Sequence, residues 1–206
     1  MDAADKPVGL ILAGGLSRRM GGGDKALRPL AGESILARVV RRLRPQVRTL
    51  LLNANGPAER FGLNLPVVPD EMPDTPGPLA GILAGLDHAA REMPGEPFLL
   101  TVPADCPFLP ADLAARLADA ATDAGAAYAT SGARAHPVAG IWRVAARHDL
   151  RALLVDEGER RVGRWLARAG AVPVEWPAEP FDPFFNVNTP EDLAAAERLA
   201  AAYPAL

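Results

Sequence analysis

Short apolar segments alternate with amphipathic helical segments along the chain, and this alternation restricts the fold more than any other feature. Residues 8–13 form an apolar run that ends in two glycines, residues 34–44 have helical periodicity, and residues 47–53 form a second apolar run. Two strands that are joined by a helix pair in parallel, because a crossover of that length returns the chain to the same end of the sheet. This segment therefore predicts a βαβ unit.

The alternation continues along the rest of the chain, with no internal repeat and no long linker. Further strands are predicted at residues 66–68, 98–102, 126–130, 138–142 and 171–175, and further helices at residues 79–91, 111–124, 144–155, 162–169 and from 191 onward. Thr189 is a suitable N-cap for the last helix, because a proline and two acids follow it. We therefore expect residues 1–206 to form a single α/β domain, a three-layer α/β/α sandwich with a Rossmann-like, mostly parallel sheet.

Composition narrows the expected partners and compartment. The single cysteine, Cys106, can close no disulfide within the chain, which predicts a reducing compartment and hence the cytoplasm. The formal net charge of -3 gives no overall basic field, so nucleic acid is not expected as the main ligand. The first apolar run is too short for a secretion signal or a membrane span, so no membrane partner is expected either.

The segment between residues 12 and 25 follows the first strand and holds five glycines and three cations. Glycine lets backbone N–H groups approach a polyphosphate closely, and Arg19 and Lys25 can neutralise its charge. Lys25 is notable because only it and Lys6 are lysines among the 22 Lys and Arg residues. We expect this segment to bind an anion, and the alternative is a flexible solvated loop.

Two familiar phosphate-binding patterns do not explain this loop. A Walker A loop requires Gly-Lys-Ser/Thr, whereas Asp24 precedes Lys25 and Ala26 follows it. Gly21, Gly23 and Ala26 formally match the dinucleotide-binding fingerprint, but they lie well beyond the end of the strand, so the match is weak. The loop is therefore expected to bind phosphates in another way.

Asp105 follows the predicted strand at residues 98–102 and lies between two prolines, which stiffen the turn. A fixed carboxylate at a strand end, facing a phosphate loop, suits Mg²⁺ on a nucleotide, because phosphates and waters supply the remaining ligands. We therefore expect Asp105 to ligate Mg²⁺. The alternative is that Asp105 caps the helix that follows.

Other polar residues also lie next to strand ends or helix starts. Asn186 and Asn188 would share one face of an extended segment, where their carboxamides could bind a heterocycle or a phosphate. An equal alternative is that their side chains form the turn before the last helix.

Asn53 and Asp70 each follow a strand and could bind a base or a ribose. The glycine-containing helix start at residues 77–81 is either an anion site or a helix start without a ligand.

The sequence gives no support for covalent catalysis. Ser17 and Cys106 have no convincing histidine partner, so neither is expected to act as a nucleophile. The three histidines lack the spacing of a metal-binding pair and are expected to be structural.

Taken together, these motifs resemble the signature of a known family. The Leu-Ala-Gly-Gly sequence at residues 12–15, Arg-Arg-Met-Gly-Gly at 18–22 and Asp-Lys at 24–25 are similar to those of the molybdenum cofactor guanylyltransferases, a branch of the nucleotidyltransferases. The resemblance covers nearly the whole chain, since it continues through residues 77–81, 103–107, 158–161 and 186–191. Gly23 departs from the pattern, because the family often has a larger residue there.

The resemblance implies a role for each candidate residue. The implied nucleotide-binding residues are Leu12, Ala13, Gly14, Gly15, Lys25, Asn53, Asp70 and Asp105. Among them, Lys25 would bind the phosphates, Asn53 and Asp70 the nucleoside, and Asp105 the Mg²⁺, so that Lys25 and Asp105 are the implied catalytic residues. The residues implied to face molybdopterin are Arg19, Gly22, Gly77, Gly81, Asn186 and Asn188.

The activity implied by the resemblance is transfer of GMP from GTP to the phosphate of molybdopterin, with release of pyrophosphate and Mg²⁺ as cofactor. The expected enzyme is a monomer that transiently contacts the proteins that deliver and receive the cofactor. A cytidylyltransferase acting on the same cofactor is the nearest alternative, although the Leu-Ala-Gly-Gly and Asn-Val-Asn segments look more like the guanylyl branch. A sugar-phosphate nucleotidyltransferase and a non-catalytic nucleotide-binding or carrier protein are further alternatives.

Overall fold

A computed structural model describes residues 6–14, 25–72 and 77–204 of the chain. Within these residues the strands are β1 Val8–Leu12, β2 Pro29–Leu30, β3 Glu33–Ser34, β4 Thr49–Asn53, β5 Val67–Val68, β6 Phe98–Pro103, β7 Ala126–Ser131, β8 Arg134–Arg143 and β9 Val172–Trp176. The α-helices are α1 Ile35–Leu43, α2 Pro78–Glu92, α3 Leu113–Ala124, α4 Arg147–Val155, α5 Val162–Arg168 and α6 Pro190–Ala202. Among the described helices, none is both long enough and apolar enough to cross a lipid bilayer.

Seven strands form one sheet in the order β5-β4-β1-β6-β8-β7-β9, in which only β8 runs antiparallel to its neighbours. From β1 the chain builds the sheet outward through β4 and β5, and then returns to add β6 on the other side of β1. Leu12 is paired with Asn53 of β4 and with Pro103 of β6, so the carboxyl ends of these three strands lie side by side. A change of direction of this kind opens a crevice at the carboxyl ends, where such sheets bind ligands.

Helices cover both faces of the sheet, which confirms the predicted three-layer fold. Residues in β1 alternate between the two faces: Ile11 packs with α1 and α3, whereas Leu10 packs with α2, α4 and α5. Strands buried on both faces need apolar residues at every position, which is why the central strands read as continuous apolar runs.

A third, smaller core joins α6 to the β2–β3 hairpin. Leu30 and Ile35 are fully buried against Val187 and the α6 residues Ala196 and Ala200. The carboxylate of Glu197 in α6 also accepts a hydrogen bond from the hairpin backbone at Ala31, over 3.0 Å. We refer to this group of residues as the satellite core.

Several predicted element bounds are corrected by the structure. The strand expected at residues 138–142 is longer, because it begins at Arg134 as half of a β7–β8 hairpin. Gly132 and Ala133 form the turn of this hairpin, and both have positive φ, as a type I′ turn requires. The helix expected at 111–124 starts at Leu113, and the one expected at 144–155 is a 3-10 turn, Val144–Ala146, followed by α4.

Gly85 in α2 provides a test of the packing between α2 and the sheet. A Cβ at this position would lie 2.4 Å from Leu10 Cδ2 and 2.9 Å from Leu99 Cδ2. Extra methyl groups in a packed core typically cost about 1–3 kcal/mol. We therefore expect Gly85→Val to lower the free energy of unfolding by about that amount, measured by urea denaturation.

The matched control for this change is Gly163→Val in α5. Apart from its chain neighbours and the backbone of its own helix, no described atom lies within 4 Å of the Cβ position of Gly163, so this substitution carries mainly the backbone effect of replacing a helical glycine. Equal losses of stability in the two variants would contradict close packing of α2 on the sheet.

Candidate active site

The carboxyl ends of β1 and β6 are joined directly by the backbone. The Ala104 N–H donates to the carbonyl of Leu12 over 3.1 Å, so the turn that follows β6 begins beside the last residue of β1. Asp105 is the next residue in this turn. Its side chain is only 16% exposed, so its charge needs partners within the protein.

Two side chains donate hydrogen bonds to the Asp105 carboxylate, and a third side chain contacts one of these donors. Lys25 Nζ donates to Asp105 Oδ2 over 2.5 Å and to Asn188 Oδ1 over 2.7 Å. Asn186 Nδ2 donates to Asp105 Oδ1 over 3.0 Å. The structure therefore brings together four of the residues that the sequence singled out, and we refer to them as the Asp105 cluster.

The capping and turn-chemistry alternatives for these residues are not borne out by their contacts. Asp105 does not cap α3, because the residue at the start of that helix is Asp112, whose Oδ1 instead accepts from Trp176 Nε1 over 2.9 Å. The turn before α6 does not use the side chains of Asn186 and Asn188 either. Thr189 and Asp192 form the capping box of α6 between themselves.

A second group of polar residues lies at the ends of β4 and β5. Asn53, which is 2% exposed, donates from Nδ2 to Asp70 Oδ1 over 2.8 Å and to the carbonyl of Val68 over 3.0 Å. Asn55 donates from Nδ2 to Asp70 Oδ2, and its Oδ1 accepts from the Asp70 N–H, each over 3.0 Å. The sequence indicated Asn53 and Asp70 as candidates but not Asn55, which lies beyond the strand in an exposed turn. We refer to these three residues as the Asp70 clamp.

Gly14 connects the Asp70 clamp to the start of the glycine-rich segment. A Cβ on Gly14 would lie 3.5 Å from Asp70 Oδ2 and 3.6 Å from Asn53 Oδ1. Ala13, the residue before it, donates its N–H to the carbonyl of Asn53 over 2.8 Å. The backbone at the end of β1 therefore runs alongside the clamp.

The two glycines expected at the start of α2 differ in their surroundings. Gly81 is buried, and a Cβ there would lie 2.2 Å from Asn53 Oδ1 and 2.8 Å from Leu12 Cδ2. Its lack of a side chain thus allows α2 to pack against the end of β4. Gly77 is exposed and precedes the helix at a φ of 123°, a conformation that favours glycine. Gly15, Arg19 and Gly22 lie outside the described residues.

A buried hydrogen-bond network, which the sequence did not reveal, supports the segment that carries Asn186. Ser131 Oγ donates to Asp182 Oδ1 over 2.8 Å and lies 2.7 Å from His136 Nε2. Because a hydroxyl has one proton, His136 must be the donor in the second bond and carries its proton on Nε2. The His136 ring also stacks on Phe184, with 4.7 Å between the ring centroids. Burial lowers the pKa of His136.

Cys106 is adjacent to Asp105 but is not suited to nucleophilic chemistry. The thiol is buried and lies 3.6 Å from the carbonyl oxygen of Phe184. Burial, followed by the nearby charge of Asp105, raises its pKa well above the usual thiol value. The reactive thiolate form is therefore disfavoured.

The residues of the Asp105 cluster fit a magnesium ion that is shared with a phosphorylated ligand. Within the described part of the chain, no group of three or more His, Cys, Asp or Glu side chains could enclose a metal ion. Mg²⁺ on a nucleotide needs only one or two carboxylate ligands, because phosphate oxygens and waters complete its octahedron. The Asp105 carboxylate, beside the amide groups of Asn186 and Asn188, is a donor set of that kind.

The motif at residues 158–161 lies between α4 and α5 and is organised around Glu159. Its carboxylate accepts hydrogen bonds from the backbone N–H groups of Arg160 and Arg161 and from the Arg161 side chain. The bonds from Arg161 lower the pKa of Glu159 to about 2. This acidic residue therefore fixes the shape of an exposed, arginine-bearing loop.

Comparison with known proteins identifies relatives along nearly the whole chain. The MobA-like NTP transferase domain family matches residues 9–171. A molybdenum cofactor guanylyltransferase of Rhodopseudomonas palustris (strain BisB5) is 54% identical over 205 residues, covering 97% of this chain and 98% of that protein. Another, from Bradyrhizobium sp. (strain ORS 278), is 57% identical over 196 residues, covering 94% of this chain and 92% of that protein.

The fold has a counterpart among solved structures. Molybdopterin-guanine dinucleotide biosynthesis protein A from Archaeoglobus fulgidus superposes with a TM-score of 0.75. The superposition covers 95% of this chain and 99% of that chain at 23% sequence identity. This likeness supports the assignment of the fold.

The lowered pKa of His136 predicts how the stability of the protein depends on pH. Desolvation is the main cause; Asp182 and Glu175 oppose it, and Arg134 adds to it. Above pH ~6.5, the ordinary histidine pKa, His136 is neutral in both the folded and the unfolded chain. Below that pH the unfolded chain takes up the proton first, so stability falls until the lower pKa of the folded state is reached.

We therefore expect wild-type protein to lose stability between pH 7.5 and 5.5, and the His136→Gln variant to lose less over the same range. Urea denaturation at both pH values measures this difference. The control is His148→Gln, which removes an exposed histidine from α4 and should keep the wild-type pH dependence. An unchanged pH dependence in His136→Gln would contradict the lowered pKa.

Proposed function

Because the chain belongs to the MobA-like NTP transferase family and is a nucleotidyltransferase, we propose that it transfers GMP from GTP to the terminal phosphate of molybdopterin. The products are pyrophosphate and the guanine dinucleotide form of the molybdenum cofactor. The observation that carries this proposal is the Asp105 cluster, in which a lysine, a carboxylate and two carboxamides meet at the carboxyl ends of the central strands.

In the proposed complex, GTP lies along the carboxyl end of β1. Leu12, Ala13, Gly14 and Gly15 bind the nucleotide, Lys25 binds its phosphates, and Asn53 and Asp70 bind the nucleoside. The proximity of Gly14 to the Asp70 clamp supports this arrangement. Molybdopterin occupies the remaining part of the crevice. We assign to it the residues Arg19, Gly22, Gly77, Gly81, Asn186 and Asn188.

The reaction proceeds without a protein nucleophile. A terminal phosphate oxygen of molybdopterin attacks the α-phosphorus of GTP in line, and the bond from this phosphorus to the oxygen of the β-phosphate breaks. Pyrophosphate leaves with the electron pair of that bond. The protein contributes by positioning the two substrates and by offsetting negative charge, which are the main sources of catalysis in phosphoryl and nucleotidyl transfer.

Lys25 and Asp105 form an ion pair in the structure, with 2.5 Å between Nζ and Oδ2. Each has a separate role in the proposed reaction. Asp105 holds Mg²⁺, which when bound supplies positive charge next to the phosphates. The Lys25 ammonium exchanges its bond to Asp105 for bonds to phosphate oxygens, so that its charge offsets that of the α-phosphate and the departing pyrophosphate. Asn188 can continue to orient Lys25 during this exchange, because its Oδ1 already accepts from Nζ.

The proposal includes the organisation and setting of the enzyme. We propose that residues 1–206 form one nucleotidyltransferase domain that acts as a monomer in the cytoplasm. Contacts with the proteins that deliver molybdopterin and receive the product are transient. Size-exclusion chromatography with light scattering measures the oligomeric state directly.

Lys25 is tested by a variant that removes the ammonium but keeps most of the side-chain length. We expect Lys25→Met to reduce turnover by about 10²–10³-fold, the usual cost of removing one group that stabilises developing charge. Pyrophosphate release from GTP and molybdopterin measures turnover. The control is Lys6→Met, which removes the other lysine, whose Nζ donates to the carbonyl of Pro45. Near-normal turnover in folded Lys25→Met protein would remove Lys25 from the mechanism.

Asp105 is tested by thermal unfolding with GTP, CTP, ATP and UTP, each with and without Mg²⁺. A nucleotide at 100 times its Kd should stabilise the native state by about 2.7 kcal/mol. We expect a Mg²⁺-dependent shift in Tm with GTP for wild type and for Asp123→Asn, which changes an exposed carboxylate of α3. Asp105→Asn should lose that shift. A preference for CTP would instead favour the cytidylyl branch, and no shift with any nucleotide would contradict the proposal.

A further inference from the structure

The Asp70 carboxylate is held in an unusual way for a charged group. Each of its oxygens accepts one carboxamide N–H: Oδ1 from Asn53 over 2.8 Å and Oδ2 from Asn55 over 3.0 Å. Asn55 also accepts from the Asp70 N–H over 3.0 Å, so two hydrogen bonds link this pair of residues. The plane of the carboxylate is therefore fixed relative to the ends of β4 and β5.

The donors in this clamp are neutral, so they orient the carboxylate without cancelling its charge. Among the described residues, no lysine or arginine forms an ion pair with Asp70. An ionised carboxylate oxygen can accept about two hydrogen bonds, and the clamp uses one on each oxygen. Each oxygen of Asp70 can therefore accept one further hydrogen bond, and the residue is only partly buried, so a ligand can reach it.

Two adjacent acceptors select a ligand edge that presents two adjacent donors. Guanine has such an edge, since its N1–H and its 2-amino group lie side by side. The exocyclic amines of adenine and cytosine are each next to a ring-nitrogen acceptor, which a carboxylate repels, and the single N–H of uracil lies between two carbonyls. A site built in this way rejects the other bases because it leaves polar groups unpaired or opposed.

We propose that Asn55 is a positioning residue for base selectivity, which holds the Asp70 carboxylate in the plane that accepts the N1–H and 2-amino groups of guanine. This inference rests on the proposed use of GTP. The position of Gly14 supports it, because the Cβ position of this glycine is 3.5 Å from Asp70 Oδ2, on the strand end that leads into the glycine-rich segment.

The two asparagines of the Asp70 clamp differ in burial, so only one of them can be substituted without disturbing the core. Asn53 is buried, and its Oδ1 lies 2.2 Å from where a Cβ on Gly81 would be, so a substitution there would alter the packing of α2. Asn55 is exposed and precedes Gly56, whose φ of 92° forms the turn. Asn55→Ala should therefore fold normally while releasing one oxygen of Asp70.

The test compares GTP with ITP, which lacks only the 2-amino group. A hydrogen bond to a charged acceptor is typically worth about a 10–100-fold change in affinity, so wild type should prefer GTP to ITP by a factor in that range. In Asn55→Ala we expect the GTP-to-ITP ratio of kcat/KM to fall about 10-fold, with KM for GTP raised and kcat nearly unchanged. The control is Asn64→Ala, which removes another exposed asparagine and should keep the wild-type ratio.

Equilibrium binding of GTP and ITP, measured by calorimetry with Mg²⁺, separates failure of this inference from failure of the proposed function. If Asn55→Ala lowers the Kd for ITP divided by the Kd for GTP, the preference for the 2-amino group has weakened. That result supports the inference even if the chain does not turn over GTP. An equal loss of affinity for both nucleotides would show a merely structural role and would overturn it. An unchanged ratio, or a wild-type protein that binds ITP as tightly as GTP, would overturn it as well.

Discussion

The Asp105 carboxylate is the point at which three distant segments of the chain meet. It accepts from Lys25 and from Asn186, and its backbone carbonyl accepts from the Val187 N–H over 3.0 Å. Burying a carboxylate destabilises the folded state unless charges and hydrogen bonds replace the water that it loses. Lys25 and Asn186 supply that charge and those hydrogen bonds to Asp105. The same turn is tied to β1 through Leu12, so the electrostatic centre is fixed to the middle of the sheet.

The satellite core explains how Lys25 and Asn188, which come from distant parts of the chain, meet beside Asp105. Lys25 begins a 3-10 turn that leads directly into the β2–β3 hairpin, and Asn188 stands immediately before the capped start of α6. The hairpin and α6 pack on each other, so burial of their apolar side chains also sets the distance between the lysine and the carboxamide. Apolar burial stabilises this arrangement without adding charge to the site, and it leaves Lys25 and Asn188 in contact with each other.

Most of the fold could be predicted because its central strands are buried on both faces and therefore appear as apolar runs. The β2–β3 hairpin could not, since two-residue strands are too short to show periodicity. The β7–β8 hairpin was missed because its turn, Gly132-Ala133, has positive φ without the usual Asn-Gly signal. For the candidate site, residue type and position at a strand end indicated Asp105, Asn53 and Asp70. Contacts across long sequence separations could not be predicted.

The same limit applies to residues that act through others. Asn55 lies beyond its strand, and only its two hydrogen bonds to Asp70 reveal its place in the site. Ser131, His136 and Asp182 are separated by up to 51 residues, and their network exists only once the β7–β8 hairpin has formed. Each of these residues is ordinary in sequence, and its function depends on a geometry that the whole fold creates.

The two strand-end carboxylates differ in their partners, and this difference suits them to different roles in the proposed reaction. Asp105 is paired with the ammonium group of Lys25, which lies on a flexible four-carbon side chain. In the proposed reaction this ammonium moves to a phosphate, and the Asp105 carboxylate then binds the metal ion. Asp70 is held by two neutral carboxamides, which orient the carboxylate without offsetting its charge. One carboxylate is thus suited to exchange partners during the proposed reaction, and the other to present a fixed pattern of acceptors to a base. The sheet places both at the same edge because β1 is paired with β4 on one side and with β6 on the other.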